Sequence, residues 1–207
     1  MAKSEAFENF TREYDEWFVI NDDTYVSELR AIKSLLPESK SGLEIGVGTG
    51  RFGVLLGVGI AVDPSHKMAL VSRDRGLKVC EAVAEDLPFG GGTFDLVLMV
   101  TVICFFDDPG RAFSEAYRVL MPGGAIIVGF IDRESPLGQQ YSRRKERSKF
   151  YRNATFYSAE EVTDYLKRAG FHSLRFTQAV FHKDAPEGSH VKNGFGEGGF
   201  VAVRAER

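Results

Sequence analysis

The sequence predicts an α/β fold: a mainly parallel sheet with helices on both faces, preceded by a helical N-terminal region and ending in an antiparallel hairpin. Three features predict it. From residue 42 onward, short β-branched apolar runs alternate with helical segments; a glycine-dense turn follows the first run; and the last two runs succeed one another with no helix between them. Strand and helix in alternation imply parallel pairing through right-handed crossovers, whereas consecutive strands pair antiparallel.

Residues 4 to 18 and 24 to 36 place Phe7, Phe10, Tyr14, Trp17 and Phe18, then Tyr25, Leu29, Ile32 and Leu36, at near-helical spacing, and Pro37 stops the second helix. The periodicity then changes to strand-like runs, "GLEIGV", "GIAVD", "LKVCEAV", "FDLVLMVTVI" and "GGAIIVGFI", each apolar enough to be buried on both faces. Between them lie a brief helix at 51 to 56 and the helical stretches "SHKMALVSRD" and "DPGRAFSEAYRVL". Residues 135 to 153 read as a polar, basic insert within a linking region of 132–157. In "SAEEVTDYLKRAG", Ser158 caps a helix, Glu161 completes a capping box and Gly170 ends it. The final runs are "FHSLRFTQAVFH" and "GGFVAVRAE", joined by a glycine- and charge-rich connection. The whole chain, 1–207, reads as one domain: a cap at 1–37, a core at 42–131, the insert, and a terminal helix with its hairpin at 158–207.

Charge excludes little but weighs against two partner classes. With 26 basic and 29 acidic side chains the net charge is −3, which favours neither nucleic acid nor an anionic membrane. The basic run Arg143, Arg144, Lys145, Arg147, Lys149 and Arg152 reads as a solvated face. No apolar run reaches spanning length and "MAKSEAFENF" lacks a secretion segment, so a cytoplasmic protein is expected. Cys80 and Cys104 lie in apolar runs and are expected to be buried free thiols. Histidines 66, 172, 182 and 190 show no metal-ligand spacing, and no metal is expected.

The stretch "GLEIGVGTGRFG" holds five glycines in twelve positions at the first strand-to-helix turn, where open α/β sheets bring backbone close to a ligand. Two patterns overlap there. Gly48, Gly50 and Gly53 fit a dinucleotide motif, while Glu44, Gly46, Gly48 and Gly50 fit acid-x-G-x-G-x-G. A carboxylate beside a helix N-terminus repels pyrophosphate but suits a cationic ligand, which makes Glu44 the deciding residue. Asp63, ending the second strand in "GIAVDPS", is placed to accept from ribose hydroxyls, though Asp-Pro-Ser is also helix-capping turn chemistry.

Beyond these residues, "AEDLPFGGGTFDLVLM", "FDDPGRAFSEAYRVLMPGG" and "FYSAEEVTDYLKRAGF" follow in order, and together the four blocks resemble class I S-adenosylmethionine-dependent methyltransferases of the small-molecule, ubiquinone-biosynthesis-like group. The resemblance implies a Rossmann-like seven-stranded sheet with an antiparallel last strand, an N-terminal helical cap over the cofactor, S-adenosyl-L-methionine as cofactor, and a small-molecule methyl acceptor. It places Glu44, Gly46, Gly48, Gly50, Asp63, Ala84, Glu85 and Thr101 at the cofactor. Val83 stands where relatives carry an adenine-binding Asp, leaving the Ala84 N–H and Glu85 to meet the adenine. Cys104, Phe105 and Phe106 stand where relatives often have histidine, so no catalytic base is evident. Tyr14, Trp17, Phe18, Phe105 and Phe106 are the candidate acceptor-binding aromatics, with core packing as the competing role. N-methylation of a small amine is the expected chemistry, because a neutral amine brings its own lone pair. A non-catalytic adenosylmethionine binder and a nicotinamide oxidoreductase remain as alternatives.

Overall fold

The computed structural model describes residues 3–181 and 189–207; His182 and the start of the predicted hairpin connection lie outside the described residues. Its sheet has eight strands in the order β3-β2-β1-β4-β5-β8-β6-β7. These are β1 (Gly42–Ile45), β2 (Ile60–Val62), β3 (Lys78–Cys80), β4 (Phe94–Val100), β5 (Leu120–Ile131), β6 (His172–Phe181), β7 (Ser189–Asn193) and β8 (Phe200–Glu206). The first five pair in parallel and the last three antiparallel.

The mixed sheet and its antiparallel finish are as expected, with one correction to the strand count. The extra strand, β7, arises inside the connection read as loop, where Val191 and Lys192 pair with Ala179 and Gln178 of β6. Alternation is too short there, and glycine too near, for the pattern to declare itself. Two further expectations are revised. Cys80 is exposed, because β3 is an outer strand, and only Cys104 is buried. The first predicted helix is two, α1 (Glu5–Asn9) and α2 (Thr11–Ile20), broken at Phe10, followed by α3 (Asp22–Lys33).

Both faces of the sheet are covered, which explains the unbroken apolar runs. Leu96, Leu98, Val100, Ile127 and Ala202 pack with Phe18, Tyr25, Leu29 and Ile32 of the cap and with Phe52 and Leu56 of α4 (Arg51–Leu56). Val97, Met99, Ile126, Val128, Val201 and Val203 pack on the opposite face against α6 (Pro109–Val119) and α8 (Ala159–Ala169). The capping box of Ser158 and Glu161 forms as predicted, with Gly170 left-handed at the end of α8. The remaining helices are α5 (His66–Asp74) and, inside the basic insert, α7 (Pro136–Arg144). Among the described residues no helix is long and apolar enough to cross a membrane.

The cap is fastened to the edge of the sheet that carries the glycine turn. Asp15 of α2 bridges Arg51, at 2.7 Å, and Arg75, at 2.8 Å, and Arg75 also donates to the Thr49 carbonyl. The two guanidiniums hold the Asp15 carboxyl well below the ordinary carboxylate range against the cost of its partial burial. Glu8 accepts from Ser65 Oγ at 2.6 Å and from the Lys67 N–H at 3.1 Å, tying α1 to the start of α5. Asp15→Ala leaves both guanidiniums without their partner, and hydrogen bonds to charged groups are each worth roughly 1.5–3 kcal/mol. The variant should therefore melt at lower temperature and expose the cap to limited proteolysis before the core; unchanged melting and cleavage would show that the latch does not hold the cap.

Candidate active site

The sheet reverses its order between β1 and β4, and in parallel α/β sheets the crevice above such a point takes the ligand. A cavity of about 690 Å³, partly open to solvent, lies there. Its wall includes Gly46, Gly48, Asp63, Ala84, Glu85, Thr101, Tyr14, Phe105 and Phe106, so six of the eight predicted cofactor residues converge on it, together with three of the five predicted aromatics. Tyr14 and Phe7 of the cap complete the roof.

The backbone of the turn is forced to be glycine by what surrounds it. Gly46 and Gly48 have φ of 71° and 54°, and a Cβ on Gly46 would lie 2.1 Å from Val102. A Cβ on Gly48 would come 3.2 Å from the ring of Tyr14 and press on it, and the positive φ there already disfavours any other residue. Asp63 fixes the turn from below: its carboxylate accepts from the Gly48 N–H at 2.8 Å and from the Ser65 N–H at 2.9 Å. Burial, leaving the residue 7% exposed, pushes its pKa up to about 6 despite those two bonds. Each of its oxygens keeps acceptor capacity and Asp63 lines the cavity, while the capping expectation is corrected: the N-cap of α5 is Ser65, and Asp63 only holds the Ser65 N–H in the turn before it.

Glu44 and Gly50 are not brought to the cavity wall. Glu44 is 2% exposed and lies beneath α4, where a Cβ on Gly53 would stand 2.4 Å from its Oε2. Gly53 is therefore small to admit Glu44, a close contact between α4 and β1. Oε2 has no hydrogen-bond partner, and burial pushes the Glu44 pKa up to about 8. Gly50 caps α4 at φ 84° and packs toward Leu77 and Ser72 of the α5 side. Glu85 does line the cavity, but its Oε1 accepts from the N–H groups of Asp107 at 2.8 Å and Asp108 at 3.2 Å, tying two rim loops together. The neighbouring stretch of wall, Ala82, Val83 and Ala84, is apolar.

The "LPF" and "RVLMPGG" blocks meet through charge. Arg118 donates to the carbonyls of Phe89 and Leu87, while Glu115 pairs with Arg118 and accepts from the Leu87 N–H. That clamp holds the loop carrying Ala84 and Glu85 against the sheet.

A second cavity, of about 700 Å³, adjoins the first. Phe7, Tyr14, Thr101 and Phe105 line both, and Trp17, Phe18, Glu28, Tyr141, Phe150 and Tyr151 are among the residues that line the second alone. The predicted aromatics therefore divide: Tyr14 and Phe105 stand between the cavities, Phe106 in the first, Trp17 and Phe18 in the second. Phe18 also packs in the core beside Tyr25 and Phe52, so the core role and the lining role coexist. Sequence reasoning missed Glu28 and the aromatics of the insert. Glu28 was detectable as an acid on the apolar stripe Tyr25, Leu29, Ile32; Phe150 and Tyr151 were hidden in a run that its charges marked as solvated. Thr101, at the shared wall, has φ 50°, a strained conformation for a β-branched residue. Its N–H donates to the Gly129 carbonyl at 2.7 Å, which holds it there. Strain of this kind persists where the surroundings over-determine it, commonly at functional sites.

These residues fit an adenosyl ligand: a buried acceptor pair at the tip of β2, a glycine cradle that a side chain would obstruct, and an apolar wall for a base. The comparisons agree. The sequence matches the methyltransferase domain family over residues 43–128. An S-adenosylmethionine-dependent methyltransferase from Thermotoga maritima, described as a possible histamine N-methyltransferase, is similar in structure with a TM-score of 0.94 and 49% identity, covering 98% of this chain and 99% of that one. An uncharacterized protein of Methanocaldococcus jannaschii is 47% identical over 98% of both chains, and a malonyl-[acyl-carrier protein] O-methyltransferase of Geobacter sulfurreducens is 28% identical over 87% of this chain and 75% of its own length. The chain belongs to the class I S-adenosylmethionine-dependent methyltransferases, and S-adenosylmethionine is the cofactor that family and fold imply.

The buried acids make stability depend on pH. Glu28 and Glu44 have pKa values raised from 4.5 to about 8 by burial. A folded state that retains protons the unfolded chain has already lost is weakened as pH rises, so this stability is full below about 4.5 and lost as pH climbs through about 8. The melting temperature of the unliganded protein should fall across that window, and the fall should shrink in Glu28→Gln and Glu44→Gln. A slope unchanged in both variants would contradict the assignment.

Proposed function

We propose that the protein transfers a methyl group from S-adenosylmethionine to a nitrogen of a small amine. The observation that carries this reading is the shared wall: two cavities meet at Phe7, Tyr14, Thr101 and Phe105, one lined by the glycine turn and Asp63, the other by aromatic rings. When bound, the cofactor supplies a methyl already activated by its sulfonium. What remains for the protein is alignment of donor and acceptor and exclusion of water. Asp63 and the turn backbone hold the nucleoside, Ala82, Val83 and Ala84 face the base, and the cap roofs the junction with Phe7 and Tyr14.

The choice of nitrogen follows from what the junction lacks. Of the four shared residues only Tyr14 titrates, and burial pushes its pKa well above the ordinary tyrosine value. Cys104, nearby, is buried and pushed up to about 12. Neither group accepts a proton near neutrality, so the shared wall itself supplies no base for a hydroxyl or carbon acceptor, whereas an uncharged amine needs none before it attacks. The description of the Thermotoga maritima relative supports the same choice.

Two measurements check this reading. In isothermal titration S-adenosylhomocysteine should bind, and Asp63→Ala should weaken it by about 2 kcal/mol, as loss of a charged hydrogen-bond acceptor predicts; undiminished affinity in that variant would remove Asp63 from the site. With labelled methyl donor, matched panels of heterocyclic amines, phenols and carboxylic acids should show turnover among the amines alone, and turnover confined to phenols or acids would overturn the nitrogen assignment.

A further inference from the structure

Glu28 is a charge-bearing residue that neither the fold nor the cofactor site explains. It sits in the middle of α3, 7% exposed, and what remains exposed of its surroundings belongs to the second cavity, which it lines. Among the described residues no ion pair or hydrogen bond reaches its carboxyl group, and no Lys, Arg or His is among those lining the cavity. A carboxyl buried without partner is costly, and a fold with no use for it would place an apolar residue on that stripe of the helix.

The rest of the lining complements such a group. Tyr14, Trp17, Phe18, Tyr141 and Tyr151 surround the same space, drawn from the cap, α7 and the end of the insert. The rings are locked edge to face and stacked: Tyr14 on Phe18 at 5.3 Å, Trp17 on Phe18 at 5.2 Å, Tyr141 on Tyr151 at 5.1 Å, and Phe105 stacked on Tyr151 at 5.9 Å. The insert is clamped over them by Lys149, which pairs with Glu13 and lies 4.2 Å over the ring of Phe10. Rings around one buried carboxyl group are the recognition chemistry of an organic cation: the rings attract it through their quadrupoles, and its positive charge favours the ionised acid, which releases to solvent the proton that burial lets it keep in the empty cavity. An anionic acceptor would meet the opposite field.

We infer that Glu28 anchors a protonated nitrogen of the methyl acceptor inside this aromatic cage and thereby selects the acceptor. The inference rests on the methyltransferase reading and narrows its substrate class. A protonated nitrogen has no lone pair to offer, so the nitrogen that receives the methyl is a separate, uncharged one. The acceptor is thus a small molecule with a flat apolar body carrying both an ammonium for Glu28 and an uncharged nitrogen for the junction at Thr101 and Phe105.

The test uses the full chain saturated with S-adenosylhomocysteine and three probes of one shape: 2-phenylethylamine, 2-phenylethanol and 3-phenylpropionate, titrated calorimetrically at neutral pH. The amine should bind at least ten-fold tighter than the alcohol, the acid should bind weakest, and Glu28→Gln should erase the amine's advantage while S-adenosylhomocysteine binds as before. In a separate assay with labelled S-adenosylmethionine in place of S-adenosylhomocysteine, 2-phenylethylamine, which has no second nitrogen, should not be methylated. Absence of amine binding at millimolar concentration, equal binding of the alcohol or acid, an amine preference that survives in Glu28→Gln, or rapid methylation of 2-phenylethylamine would each overturn the inference. Failure of S-adenosylhomocysteine itself to bind the wild-type chain would instead strike the methyltransferase reading, so the two failures are distinguishable.

Discussion

The arrangement at the carboxyl edge of the sheet depends on one buried carboxylate. Asp63 ends β2 and accepts backbone N–H bonds from Gly48 and Ser65, which belong to the turn after β1 and the first residue before α5. Those two bonds set the distance between two strand-to-helix turns, and that distance defines the width of the first cavity. Everything above it inherits the constraint. Tyr14 can lie on Gly48 because the turn is held down, and Ser65, positioned by Asp63, both caps α5 and meets Glu8 of the cap. A single acid thus couples the sheet, the glycine turn and the lid by hydrogen bonds whose geometry leaves little freedom.

The cap and the insert divide the remaining work. The cap reaches the first cavity through Phe7 and Tyr14 and the second through Trp17, Phe18 and Glu28. The insert closes the second cavity with Tyr141, Phe150 and Tyr151, and Phe150 stacks on Phe7 at 5.6 Å. Two segments distant in sequence therefore meet over the junction through rings. Large rigid side chains do this at low conformational cost and exclude water as they close.

The fold was legible in the sequence because its strands are buried on both faces and its helices carry ordinary caps. The parallel core, the terminal antiparallel pairing and the Ser158–Glu161 capping box need only local pattern to be recognised. The glycine turn and Asp63 were legible for a related reason: positive φ and a strand-tip acid leave residue types that local chemistry demands. What escaped was non-local. β7 is a strand because β6 offers it an edge. Glu44 satisfies its motif yet faces Gly53, since the pleat sends residue 44 under α4. Glu28 and Tyr151 became parts of a cavity only when α3 and the insert were brought together, and no periodicity of either segment encodes that meeting. Glu28 was nonetheless marked as an anomaly by its place on an apolar stripe, the kind of local contradiction that points to function.

The glycines of the turn are small for different reasons. Gly53 is small because Glu44 needs its space, and Gly50 because α5 packs against it. Only Gly46 and Gly48 face the cavity. The first cavity meets the turn through those two glycines, beside Asp63.

A crystal structure of the chain with S-adenosylhomocysteine tests the central claim most directly. The account predicts both ribose hydroxyls on Asp63, the adenine against Ala82, Val83 and Ala84, and the sulfur facing the boundary of the two cavities at Thr101 and Phe105. A nucleoside bound away from Asp63, or a sulfur turned from the second cavity, would contradict it.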